Sequence, residues 1–125
     1  SVAEFEVFPF ISRLFSKDYK YVLEDLKIIE DPTSGINRIG LLTLLYNKFY
    51  EASKVMGLPW DKDIESRTGV SYFHAKPIWT NCKFKHESCL TAMRIIQDTE
   101  SGIKQGRYSE IQSVSACIVS ILTLK

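Results

Sequence analysis

A mainly α protein is what this sequence predicts: a compact single-domain bundle of four to five helices, with one irregular segment over residues 58–79 that leaves room for a short extended stretch. Three observations carry that expectation. Apolar residues recur at three- and four-residue intervals in separate stretches, the pattern that lines one face of a helix. Those stretches are bounded by residues that start and stop helices, such as Asn37, Gly57 and Pro59. The one run of β-favouring residues, Val70 to Ala75, has no second run to pair with, and a lone strand is not stable. At 125 residues the chain can bury a core without a disulfide or a structural metal, so all of 1–125 reads as a single helical domain.

Residues 1–15 read as an aromatic N-terminal arm or short helix carrying Phe5, Phe8, Phe10 and Phe15. Pro9 has no amide N–H and is expected to prevent a continuous helix through Phe8. Ser16 can cap the next segment, where Tyr19, Val22, Leu23, Leu26 and Ile29 form one apolar stripe ending near Glu30. Asp31 to Gly35 is a turn by composition. Asn37 is placed to cap a long helix with Leu42, Leu45, Tyr46, Phe49, Ala52 and Met56 on one face, stopped by a left-handed Gly57. Leu41 and Leu44 widen its apolar arc, which predicts a central helix contacted on more than one side.

Beyond Leu58 the pattern weakens. Pro59 suits the first turn of a short helix through Glu65, and Val70 to Ala75 suits extended backbone. Thr80 or Asn81 then caps a helix to about Glu100, with Cys89, Leu90, Met93 and Ile96 inward. Gly102 and Gly106 frame a loop, and Ser109 with Gln112 has capping-box spacing before a last helix with Ile111, Val114, Ile118, Ile121 and Leu122 on its core face.

Composition excludes several classes. Apolar residues are 45% and charged residues 25%, well clear of disordered chains. The apolar stretch Ala116 to Leu124 is too short to span a bilayer, and the N-terminus lacks the basic start and apolar run of a signal peptide, so no membrane association is expected. Three cysteines without framework spacing point to a reducing, intracellular setting. Opening at Ser1 rather than Met suggests a domain excised from a longer protein or a processed product.

Chemistry concentrates in one place: His74, Cys82, His86 and Cys89 are donors of the kind zinc takes. A helix starting at Asn81 sets the two cysteine Cα atoms about 10.5 Å apart along its axis, too far to share an ion. On that reading they align with Met93 and Ile96 as small buried hydrophobes, no metal is bound and no cofactor is expected; a later helix start would revive zinc. A Cys/His nucleophilic pair has no local signature, and Asp61, Asp63 and Glu65 fail the calcium-loop pattern because Ser66 and Tyr72 stand at its glycine and glutamate positions. With no phosphate loop and no nucleophile elbow, no catalytic residue is assigned and the chain does not read as an enzyme.

Two surfaces remain. The N-terminal aromatics, with Phe5, Phe8, Phe10 and Ile11 as contacts, suit self-association or docking of a partner protein, and this non-enzymatic interaction domain is the leading functional expectation. The alternative is single-stranded RNA binding by Lys76, Trp79, Lys83, Lys85, Arg94, Lys104 and Arg107, since residues 1–66 carry a charge of −3 and residues 67–125 a charge of +4.

Overall fold

Residues 5–125 are described by the computed structural model, and seven helices order them: α1 (Val7–Phe15), α2 (Tyr19–Ile29), α3 (Arg38–Met56), α4 (Ile64–Thr68), α5 (Tyr72–Asn81), α6 (His86–Lys104) and α7 (Glu110–Leu122). The mainly α bundle expected from the sequence is thus present, with seven helices where four to five were expected. The surplus comes from the N-terminal arm and from residues 58–79. Among the described residues there is no strand, and no helix is long and apolar enough to cross a membrane.

Proline does not stop α1. Pro9 lies in the first turn, where an amide N–H has no acceptor in any case, and the ladder opens one residue later with Phe10 N–H donating to the Glu6 carbonyl at 3.1 Å. The helix turns Phe10, Ile11, Leu14 and Phe15 into the core. A tight reversal at Lys17, whose φ is +55°, leads into α2, whose N-cap position falls on Asp18 and not on Ser16 and carries no side-chain cap bond. Arg13 grips the carboxylate of Asp25 through two bonds of 2.8 Å, tying α1 to α2, and this contact raises the Arg13 pKa.

The central helix is α3, which packs against α4, α5, α6 and α7. Asn37 caps it as the sequence predicts, its side-chain oxygen accepting from Gly40 N–H at 2.8 Å. Gly57 ends it with φ −84°, which is not the left-handed stop expected. Its missing side chain serves packing instead: a Cβ there would lie 2.9 Å from His86 Nδ1.

The segment read as irregular holds two helices. Pro59 lies outside α4, which starts at Ile64 and ends at a left-handed Gly69, φ +77°. Ser71 then accepts from His74 N–H and starts α5 where extended backbone was expected. Three faces of α5 have three neighbourhoods. Ala75 and Ile78 join the core, while Tyr72, Lys76 and Trp79 meet Trp60: the two indoles stack at 5.9 Å and the Lys76 ammonium lies 5.0 Å from the Trp60 ring. Phe73, Pro77 and Asn81, spaced by four, form the third face.

Between α5 and α6 the chain leaves helical geometry at Cys82 and resumes it only after Lys85. Phe84 dictates this. Its ring is 1% exposed, packed edge-on against Phe49 at 5.4 Å and Phe15 at 6.5 Å, and burying such a ring is worth about 1.5–3 kcal/mol. The loop is pinned from outside by Lys83 N–H donating to the Phe15 carbonyl at 2.8 Å. At the far end, Ser109 precedes α7 but makes no side-chain cap bond, so the expected capping box does not form.

Candidate interaction groove

The residues singled out at the N-terminus separate once α1 folds. Phe10 is 0% exposed and Ile11 5%, so both belong to the core, and Phe5 rests on Phe10 with ring centroids 5.4 Å apart. Phe8 alone points outward, 68% exposed. Beside it runs a groove of about 210 Å³ between α1 and α5, walled by Phe8, Ile11 and Phe15 on one side and Phe73, Pro77 and Ile78 on the other. Phe73 stands beside it 88% exposed, so the apolar surface continues past the groove itself.

The rim charges are already paired. Glu51 accepts Lys48 at 3.2 Å through one oxygen and His74 Nδ1 at 3.1 Å through the other. An apolar occupant therefore meets little uncompensated charge. Sequence reasoning placed Phe73 within the β-favouring run Val70 to Ala75 and assigned it no contact. The signal that finds it is the i, i+4, i+8 spacing of Phe73, Pro77 and Asn81, which is informative once 72–81 is read as helix.

The alternative nucleic-acid residues are not gathered into one patch. Trp79 is stacked on Trp60 and Lys76 sits over the same indole, while Lys83 and Lys85 lie in the loop before α6. Arg94 is exposed midway along that helix. Lys104 ends it, paired with Glu100 at 2.9 Å, and Arg107 lies 5.3 Å from the Tyr108 ring. At 1.5 Å per residue, Lys104 is about 28 Å along the axis from Lys85.

The metal candidates divide as well. The late start of α6 removes the helical-spacing objection to Cys82 and Cys89; both are buried, and the Cys82 thiol donates to the Phe84 carbonyl at 3.8 Å. The histidines face elsewhere: His74 turns to Glu51, and His86 Nδ1 lies 2.7 Å from the Ser53 carbonyl near the end of α3. Among the described residues no group of three or more His, Cys, Asp or Glu is placed to share an ion. Two of the acidic trio are committed locally, Asp61 to Asp63 N–H and Arg67, and Glu65 to Tyr72 N–H.

The His86 contact joins α6 to α3 and yields a direct expectation. Gly57→Ala places a methyl within 3.1 Å of the Ser53 carbonyl and 2.9 Å of the imidazole. It should displace His86 and lower stability by about 1–3 kcal/mol, read by urea unfolding.

Comparison of the chain with protein-family models, with curated proteins and with solved structures finds no match.

Proposed function

We propose that this chain is a non-enzymatic interaction domain that self-associates through the α1/α5 groove. The observation that carries the reading is Phe73, 88% exposed beside an apolar groove that Phe8 flanks on its other side. A protruding ring and a groove on the same face are self-complementary: Phe73 of one copy can enter the groove of a second while the reverse contact forms about a two-fold axis. The paired Lys48, Glu51 and His74 leave a near-neutral rim, which suits approach of an identical surface. Dispersal of the basic residues along α6 favours this reading over RNA binding.

Phe73→Ser tests it. Losing a buried Phe contact removes about 1.5–3 kcal/mol, and a two-fold interface loses it twice, so the dimer constant should weaken at least about a hundredfold. Thermal stability at concentrations where the chain is monomeric should stay within about 0.5 kcal/mol, because Phe73 supports no core contact. An unchanged dimer constant in this variant excludes the groove.

A further inference from the structure

We propose that a second groove, on the outer side of α2 and α7, docks an acidic amphipathic helix of a partner protein. The inference is independent of the α1/α5 groove, with which this one shares no lining residue.

The apolar stripe along α2 is wider than the core it covers. Val22, Leu26 and Ile29 are buried, while Tyr19 and Leu23, one turn apart, stay 54% and 53% exposed. On α7, Ile118, Ile121 and Leu122 turn inward and Val119 stays 43% exposed. Because α2 packs on α7, these uncovered side chains line one groove of about 430 Å³ together with Leu122, Thr123 and Leu124. The Thr123 hydroxyl already donates to the Ser120 carbonyl at 2.6 Å, so this wall asks for no polar partner. Two helices packed side by side leave a valley that a third helix fills, its apolar side chains one turn apart entering between Tyr19 and Leu23 on one wall and Val119 and Thr123 on the other.

Charge selects the occupant. Lys17 and Lys125 line the groove, and no acidic side chain does. The fold gathers further cations at this end. Lys20 lies on the first turn of α2, while Lys83 and Lys85 are drawn in by backbone bonds, Lys83 N–H to the Phe15 carbonyl at 2.8 Å and Lys85 N–H to the Lys125 carbonyl at 3.3 Å. Lys17 is held in place by its bond to the Leu124 carbonyl, with its ammonium 4.7 Å from the Phe84 ring. Within two residues of these five lysines only Asp18 and Glu87 are acidic. Among the described residues the lysine ion pairs lie elsewhere, at Lys27–Glu24, Lys48–Glu51 and Lys104–Glu100. A helix with glutamates or aspartates flanking its apolar face answers both the groove and the charge. Nucleic acid fits less well, because Tyr19 is the one ring lining the groove and aliphatic side chains give bases no face to stack on.

The test titrates the isotope-labelled chain with a synthetic amphipathic peptide of about 16 residues, leucine on one face and glutamate on the other, beside a copy with lysine in place of glutamate. The glutamate peptide should move the amide signals of Tyr19, Leu23, Val119 and Thr123, and its affinity should fall as salt rises. Leu23→Ser should weaken it about tenfold, and Lys85→Glu combined with Lys125→Glu by at least as much. All three side chains are exposed, so these variants should unfold in urea as the unaltered chain does, and lost binding then reports the surface. Failure of the glutamate peptide to bind, equal binding of the lysine peptide, signal changes confined to the α1/α5 groove, or tighter binding of oligouridylate or of phosphatidylserine vesicles each overturns the proposal.

Discussion

Phe49→Ala should cost about 3–5 kcal/mol, the largest loss expected from any single truncation in this fold. Phe49 is fully buried on α3 and meets Phe15 of α1 at 4.9 Å and Phe84 of the α5–α6 loop at 5.4 Å, both edge-on. Removing the ring deletes two aromatic contacts and leaves a cavity where three parts of the chain converge. The neighbouring loop then loses its anchor, so collapse into the cavity can recover only part of the loss. Urea unfolding read by circular dichroism should show the midpoint falling with the slope unchanged. A loss below about 1 kcal/mol would mean that Phe84 is not held by this cluster.

Arg38→Met comes next, at about 2–4 kcal/mol. Arg38 opens α3, an unusual place for a cation, because a helix N-terminus is itself positive. Its side chain instead serves the helix before it. Nε donates to the Ile29 carbonyl and Nη2 to the Asp31 carbonyl, each at 2.8 Å, which satisfies acceptors at the end of α2. The guanidinium is 7% exposed, so methionine fills the volume but leaves the Ile29 carbonyl unpaired away from water, while the Asp31 carbonyl keeps only its bond from Ser34 N–H. The contact to Glu110 at 3.9 Å adds little, since that carboxylate is 45% exposed. Loss on Arg38→Met should therefore be nearly independent of salt, whereas Glu110→Gln should be close to neutral.

Arg38 also shows where sequence reasoning reached its limit. Periodicity located α2, α3 and α7 because each turns a regular apolar stripe to the core, and Asn37 marked the start of α3 through a bond local to the chain. Nothing local announces that an arginine reaches back to carbonyls seven and nine residues earlier. The same limit explains Phe84. A short stretch after Asn81 looked like uninterrupted helix, yet one aromatic ring gains more from the Phe15–Phe49 cluster than the backbone gains by continuing. That choice sets where α6 begins. Residues 58–79 failed for another reason: α4 is only five residues long and α5 contains Pro77, so neither offers a full periodic window.

At the groove, α1 was expected to present its aromatics as a set, and folding divides them. Phe10 and Phe15 serve the core, Phe5 leans on Phe10, and only Phe8 stays outside to meet a helix the sequence did not reveal. The reading of self-association therefore rests on α1 and α5 together.

Sedimentation equilibrium of the unaltered chain across a wide concentration range tests that reading most directly. The mass should rise from 14.4 kDa toward twice that value as concentration increases, with one reversible monomer–dimer constant. A mass fixed at 14.4 kDa throughout the range would contradict self-association.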